Sequence, residues 1–256
     1  MEAFIKNLAR GAGAILRDGF RKKIKINEKA AFWDVVTQYD LAAEEYIISR
    51  IHRKFPGHGI VAEESGERGG GKNFWVIDPL DGTRGFSRGI QHFTTCIAFV
   101  SGGTIKNSVI YDPMREELFS AARGKGAFLN GRRISVSRAA DLPHALLGLY
   151  IGIGAHQIRQ KIYSRFVASD AWHFKTMGGA MTMAYAAAGR ADGVVCACIN
   201  IGGPWDLAPA ALILREAGAK VTDFKSRPFH WNSREMVAAN PVLHKKIMDA
   251  FQLKKL

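Results

Sequence analysis

The apolar positions of the first twenty residues recur at the period of an α-helix. This spacing predicts an amphipathic helix with one buried face, and its apolar members are Phe4, Ile5, Leu8, Ala12, Ile15 and Leu16. A second helix is predicted from Asp40, a favourable N-cap residue, and it ends before Pro56-Gly57.

Short apolar runs typical of β-strands follow this helix. The first run, 60–62, ends at Glu63, and the second, 74–77, ends at Asp78. The remaining predicted strands are 94–100, 106–111, 118–122 and 126–129, and a Ser-Gly-Gly hairpin signal joins the first two of them.

The second half of the chain has three more helical patterns, at 178–188, 205–217 and 241–251. Helices and strands alternate without a regular βαβ rhythm, so we predict a layered α+β fold instead of a doubly wound sheet. Residues 1–142 and 143–256 are the predicted halves of one compact unit.

Composition restricts the class of protein. Three cysteines in 256 residues are too few for a disulfide framework, and no apolar run is long enough to span a bilayer. The first helix lacks the uninterrupted apolar core of a secretory signal. We therefore expect a soluble, cytoplasmic protein. The Cys196-x-Cys198 spacing allows a metal site, but no other cysteine lies nearby and an apolar strand is the favoured interpretation.

The formal net charge of +13 favours anionic partners, either phosphorylated small molecules or nucleic acid. Basic residues are dispersed along the chain, apart from a local run at residues 21–25. Charge alone leaves both kinds of partner open.

The segment Asp78-Pro79-Leu80-Asp81-Gly82-Thr83 is the most informative part of the chain. It places two carboxylates three residues apart where an apolar strand ends, and the helix start at Thr83 offers free amides to a phosphate. Taken alone, the two aspartates could form a turn and an N-cap. Glu63 at another strand end and Asp206 at a helix start favour a site for a hard cation such as Mg²⁺.

Several segments resemble the inositol monophosphatase family, and the resemblance covers nearly the whole chain. The matching segments are DVVTQYD (34–40), FPGHGIVAEESG (55–66), WVIDPLDGTRGFSRGI (75–90), GGAMTMAYAAAGRADG (178–193) and GPWDLAPAALILREAGA (203–219). The resemblance implies an alternating α/β/α/β/α sandwich, a homodimer and a magnesium-dependent phosphatase that lithium inhibits.

The resemblance also implies roles for individual residues. The metal ligands would be Glu63, Asp78, the carbonyl of Leu80, Asp81 and Asp206, holding two or three Mg²⁺ ions. The catalytic residues would be Glu63 and Thr83, which orient the attacking water, and Asp40, which hydrogen-bonds Thr83. The substrate-binding residues would be Gly82, Thr83, Arg84, Lys175 and Ala180. Asp34 matches a further carboxylate of the family. Positioning and charge stabilisation dominate phosphoryl transfer, so His58 and His92 are interpreted as surface or packing residues.

The sequence departs from the family pattern after Asp192. Relatives that act on inositol phosphate have a glutamate there that binds sugar hydroxyls, whereas residues 194–200 include no acid. Arg84 resembles the histidinol-phosphate phosphatase branch of the family. We therefore predict altered contacts to the polyol and a broad specificity.

These observations predict hydrolysis of inositol 1-phosphate or a related sugar or polyol phosphate. Histidinol phosphate, fructose 1,6-bisphosphate and 3′-phosphoadenosine 5′-phosphate are the alternative substrates. A function of another class, binding RNA or the transcription machinery through the basic surface, is compatible with the charge. The complete carboxylate set favours the enzyme.

Overall fold

The computed structural model describes residues 1–28, 35–152, 156–174, 179–198 and 202–256. The helices are α1 (Glu2–Gly19), α2 (Gln38–Lys54), α3 (Thr83–Phe86), α4 (His156–Val167), α5 (Gly179–Ala187), α6 (Pro204–Glu216) and α7 (Pro241–Ala250), followed by a 3-10 turn at Leu253–Lys255. The strands are β1 (Ile26–Glu28), β2 (Val35–Thr37), β3 (Gly59–Ala62), β4 (Gly66–Arg68), β5 (Asn73–Asp81), β6 (Thr94–Ser101), β7 (Thr104–Asp112), β8 (Glu117–Ala122), β9 (Gly126–Leu129), β10 (Arg132–Ile134), β11 (Leu146–Ile151), β12 (Trp172–Phe174), β13 (Gly193–Ala197), β14 (Lys220–Thr222) and β15 (Glu235–Ala239). Within these ranges no helix combines the length and apolar character needed to cross a lipid bilayer.

Two sheets form the frame of the molecule. In the described ranges, the larger sheet has eight strands in the order β10-β9-β8-β7-β6-β5-β3-β4, and the smaller has five in the order β12-β11-β13-β15-β14. Helices α1 and α2 lie outside the larger sheet, α5 and α6 lie between the sheets, and α4 and α7 lie outside the smaller one. The predicted α/β/α/β/α sandwich is confirmed.

The outer layer beside the larger sheet is formed by α1 and α2. Leu8 of α1 and Ile47 of α2 are buried against the sheet, where they belong to the same core as Trp75 of β5. Helix α2 begins earlier than the sequence indicates, because Thr37 is its N-cap. Asp40 lies in the first turn, where its carboxylate accepts a hydrogen bond from the Thr37 amide at 2.9 Å. The prediction of Asp40 as N-cap is therefore wrong: it is the acidic partner of a capping box.

Helices α5 and α6 form the central layer between the sheets. Small side chains such as Ala180 and Ala184 let α5 approach its neighbours closely, while Leu207 and Leu214 of α6 fill the remaining space. This core takes buried residues from both halves of the chain. The first turn of α6 lies beside the end of β5, and its last turn lies beside β14 and the β8–β9 turn.

The outer layer beside the smaller sheet confirms two local predictions. The Asn240 side chain accepts hydrogen bonds from the amides of Val242 and Leu243, so it caps α7 as its sequence position indicates. Cys196 lies within the buried strand β13 and Cys198 follows it, and both thiols are free. The pair is therefore part of an apolar strand.

Candidate active site

Strand β5 ends in a β-bulge that brings Asp78 and Asp81 to one face of the larger sheet. In a regular strand, side chains three residues apart point to opposite faces. Asp78 pairs with Cys96 and Asp81 pairs with Thr94, so three residue steps along β5 correspond to two steps along β6. The extra residue compensates for the odd spacing. Pro79 lies within the bulge, where its missing amide hydrogen costs no ladder bond.

Glu63 follows strand β3 at the same end of the sheet. Strand β3 runs parallel to β5, and the Glu63 amide donates to the Ile77 carbonyl at 3.1 Å. This pairing brings the Glu63 carboxyl into hydrogen-bonding contact with Asp78. The structure thus brings Glu63, Asp78 and Asp81 together, as the two strand ends predict.

Asp206 approaches the same cluster from the first turn of α6. Its Oδ2 accepts a hydrogen bond from the Gly203 amide at 2.6 Å, and its Oδ1 accepts one from the Tyr150 hydroxyl at 3.2 Å. Pro204 at the first helical position pre-organises this start, because its fixed φ is already helical. The four carboxylates come from two strand ends and one helix start.

The Asp81 carboxylate also caps helix α5. Oδ1 accepts from the Gly179 amide at 3.0 Å, and Oδ2 accepts from the Ala180 amide at 2.9 Å and the Thr94 hydroxyl at 3.3 Å. A negative charge is favoured at this helix end. The Ala180 amide, which the resemblance assigns to substrate, is bonded to Asp81 here, and its role toward substrate stays a prediction.

The carboxyl groups of the cluster repel one another. Burial, and then the negative charges of Glu63, Asp81 and Asp206, raise the pKa of Asp78 well above its usual value. Burial also raises the pKa of Asp81, although its two amide hydrogen bonds oppose the change. Burial raises the pKa of Asp206 to about 6. A nearby cation would relieve this repulsion and favour the ionised forms.

The oxygen atoms of the cluster are chemically suited to bind a hard divalent cation. Carboxylate oxygens and a backbone carbonyl, such as that of Leu80, are the ligands that Mg²⁺ takes from proteins. Among the described residues, no three His, Cys, Asp or Glu side chains converge on one point as a complete cage. Asp81 and Asp206 accept hydrogen bonds from backbone amides, and both carboxylates keep further lone pairs for an ion. The ligand set therefore stays a prediction.

The turn after β5 holds Thr83 beside the carboxylates. Gly82 has a φ of +100°, and a Cβ atom there would lie 2.9 Å from the His92 carbonyl oxygen, so glycine is required. The Thr83 hydroxyl lies 3.0 Å from Asp40 Oδ1 and 2.9 Å from the Leu80 carbonyl oxygen, and it can donate to either. The hydrogen bond between Asp40 and Thr83 that the resemblance implies is present.

Other predicted positions contribute less to this geometry. Lys175 and Asp34 lie outside the described residues. Arg84 is exposed on α3. His58 accepts a hydrogen bond from the Trp75 indole at 3.1 Å within an aromatic cluster, in agreement with the packing role.

The segment predicted to form an altered substrate wall lies mostly in the interior. Val194–Cys198 are buried, and their side chains belong to the two cores that cover the smaller sheet. These five positions contact no ligand, because a central strand covered on both faces presents no side chain to one, and the altered contacts to the polyol stay a prediction. Residues 199–200, the rest of the predicted wall, lie outside the described part of the chain.

Two residues near the cluster were missed in the sequence. Glu44 of α2 is buried, and its Oε2 accepts a hydrogen bond from the Glu64 amide at 3.0 Å, which fixes the turn after Glu63. A glutamate on the apolar face of an amphipathic helix is the signal that could have found it. Tyr150, the partner of Asp206, has no such signal because an aromatic residue is ordinary in a strand.

Comparison with known proteins identifies the family to which this chain belongs. The family model described as the inositol monophosphatase family matches residues 1–255. The Nus factor SuhB of Salmonella typhimurium (strain 14028s / SGSC 2262) is 38% identical over 248 residues, which cover 94% of this chain and 91% of that protein. The extragenic suppressor protein suhB from Bartonella henselae has a TM-score of 0.91 at 31% identity, covering 98% of this chain and 97% of that one. The IMPase of Thermotoga maritima has a TM-score of 0.88 at 31% identity, covering 98% and 96%. This chain therefore belongs to the inositol monophosphatase family.

Proposed function

We propose that this protein is a magnesium-dependent phosphatase of small phosphate monoesters, with inositol 1-phosphate or a related sugar or polyol phosphate as substrate. The observation behind the proposal is the cluster of Glu63, Asp78, Asp81 and Asp206, which the β5 bulge and the start of α6 assemble. Family membership and the similarity to an IMPase structure support it.

The residues around the cluster suit the attack of a water molecule on phosphorus. A Thr83 hydroxyl that donates to Asp40 keeps its lone pairs to accept a hydrogen bond from water. The Glu63 carboxylate is the second acceptor for that water and the candidate base. The first amides of α3, at Gly82 and Thr83, have no carbonyl partner within the helix and are donors for phosphate oxygens.

The metal ligands in this proposal are the four carboxylates and the Leu80 carbonyl. When bound, Mg²⁺ supplies Lewis-acid stabilisation of the charge that develops on the phosphoryl and leaving oxygens. The protein positions the substrate and excludes competing orientations, which suffices for a reaction that is dominated by electrostatics. No nucleophilic side chain is required.

Release of phosphate from inositol 1-phosphate tests the proposal. Activity should vanish in EDTA, return with Mg²⁺ and fall with added lithium. Asp81→Asn should lower kcat by about two or more orders of magnitude, whereas Asp249→Asn, which removes an exposed carboxylate from α7, should leave it unchanged. Full activity of rigorously metal-free protein, or of Asp81→Asn, would contradict the mechanism.

Substrate range is a separate prediction of the proposal. Residues 194–200 include no acid that could bind ring hydroxyls, and each missing charged hydrogen bond forfeits about 1.5–3 kcal/mol of discrimination. Polyol and sugar monophosphates should therefore differ in kcat/KM by no more than about two orders of magnitude. A sharp preference for inositol 1-phosphate over glucitol and glycerol phosphates in such a panel would refute this.

The names of the relatives suggest a second function, association with RNA or the transcription machinery, since several are Nus factors named SuhB. The basic run 21–25 is largely exposed. It adjoins the candidate active site, because Phe20 packs on Phe86 at 5.5 Å and the Lys25 amide donates to the Gln38 side chain at 2.8 Å. This location favours the attraction of anionic substrates. RNA binding that disappears when Lys22 and Lys23 become Gln would support the second function.

A further inference from the structure

A large cavity lies at the end of α6 opposite to the carboxylate cluster. Its volume is about 720 Å³, and it is bounded by the last turn of α6, strand β14, the β6–β7 hairpin and the β8–β9 turn. Arg215 in this cavity and Asp206 in the cluster are on the same helix, where a rise of 1.5 Å per residue separates them by about 14 Å along the axis. The cavity is therefore distinct from the candidate active site.

The side chains that line this cavity make it basic. Arg123 and Arg215 contribute positive charge, and within the described ranges neither forms an ion pair with a carboxylate. Burial, and then the nearby charge of Arg123, lower the pKa of Arg215. Two guanidinium groups held close together without a carboxylate favour an anion between them.

Glu216 also lines the cavity, but its carboxylate is engaged with the backbone. One oxygen accepts from the Gly124 amide at 2.8 Å and the other from the Gly126 amide at 2.7 Å. These bonds fasten the turn that carries Arg123 to the end of α6, so they maintain the proximity of the two arginines. Two guanidinium groups stand against one carboxylate, and the cavity keeps a net positive charge.

Aromatic side chains form another wall of the cavity. Trp231 is partly exposed and packs edge-on against Phe74, with ring centroids 4.7 Å apart. Arg215 donates to the Phe229 carbonyl at 2.6 Å, which uses one of its five N–H groups and leaves others for a ligand. The volume lies within the range of small-molecule sites in proteins.

We propose that this cavity binds a phosphorylated ligand with an aromatic ring, of the nucleotide class. The phosphate contacts Arg123 and Arg215, and the ring lies against Trp231. Arginine pairs recognise phosphate through several parallel N–H bonds, and an indole offers a flat apolar surface to a base. The proposal is independent of the phosphatase function, because it uses none of the four carboxylates.

Calorimetric titration with adenosine 5′-monophosphate and with inorganic phosphate tests the site, with EDTA present to suppress hydrolysis. Arg123→Gln should weaken binding of the nucleotide by about tenfold or more. Arg132→Gln is the matched control, because it removes an exposed charge from β10 outside the cavity and should leave the affinity unchanged. Trp231→Phe should weaken the nucleotide but not phosphate.

Three results would overturn the proposal: absence of nucleotide binding at millimolar concentration, equal affinities of Arg123→Gln and Arg132→Gln, or a nucleotide affinity that Trp231→Phe does not change. Phosphate release in Mg²⁺ by Arg123→Gln should match that of the wild type. Loss of nucleotide binding with retained turnover therefore separates this site from the proposed phosphatase.

Discussion

The two ends of helix α6 have opposite chemistry. At its first turn, Asp206 joins a group of carboxylates, and at its last turn Arg215 lies beside Arg123. Each charge lies at the helix end where the backbone dipole stabilises it, negative near the amides and positive near the carbonyls. One helix of the central layer thus contributes to two sites of opposite charge.

The two ends also differ in how the backbone forms them. The acidic end depends on irregular backbone, namely the bulge between Asp78 and Asp81 and the positive φ of Gly82. The basic end uses two hairpin turns with positive-φ glycines, and Glu216 fastens one of them to the helix through the Gly124 and Gly126 amides. Both ends therefore depend on glycine conformation, and the acidic end depends in addition on the bulge of β5.

The largest effect should come from Asp206→Asn, which keeps the shape of the acidic end but removes one charge. We expect kcat to fall by at least about 100-fold, roughly 3 kcal/mol of transition-state stabilisation. The fold should survive in thermal unfolding, because one less charge relieves repulsion in the metal-free cluster. Arg123→Gln at the basic end should keep kcat. Near-normal turnover of Asp206→Asn would mean that Asp206 only caps α6.

Acidification should weaken the region beside the basic end. His244 is 1% exposed, its Nε2 lies 2.9 Å from the Thr222 hydroxyl, and burial and then Lys220 lower its pKa from 6.5 to about 4. Well above pH 6.5, His244 is neutral in both the folded and the unfolded state, and its contribution to the free energy of unfolding is complete. As the pH falls toward 4, the unfolded chain takes up the proton first, so up to about 3 kcal/mol of stability is lost.

Urea unfolding at pH 7 and pH 5 measures this loss. His244→Gln should have a smaller pH dependence than the wild type, and the difference between the two proteins isolates the contribution of this residue from that of the carboxylates. If the free energy of unfolding changed by the same amount between pH 7 and pH 5 in both proteins, His244 would have an ordinary pKa in the folded state.

Gly82→Ala should reveal the backbone dependence of the acidic end. Alanine at a φ of +100° is strained, and its Cβ would press on the His92 carbonyl, so we expect a loss of about 2 kcal/mol in chemical denaturation. Gly57→Ala is the matched control, since no atom lies within 4 Å of its added Cβ, and it should be close to neutral. Equal stability of the two variants would remove the argument for a required glycine.

The smallest effect should come from salt. The net positive charge attracts anionic substrates, so kcat/KM should fall by roughly severalfold as salt rises, while kcat at saturation stays constant. Replacing Lys22, Lys23 and Lys25 by Gln should reduce this salt dependence. If the salt dependence of kcat/KM did not change, the remaining basic residues of the chain would be the ones that attract the substrate.

The sequence by itself determined the local elements and the chemistry of the acidic end. Apolar periodicity located α1, Asn240 marked the start of α7, and the segment from Asp78 to Thr83 identified the carboxylates at the end of β5. These features can be predicted from the sequence because helix periods, caps and strand ends depend on neighbours within a few residues. The family resemblance supplied the layer order, which local patterns do not contain.

Only the tertiary structure decided the contacts between distant segments. The hydrogen bond of Tyr150 to Asp206 and the proximity of Arg123 to Arg215 join segments that have no common local pattern. Such contacts depend on how strands and helices pack in three dimensions, and packing depends on the whole set of buried side chains at once.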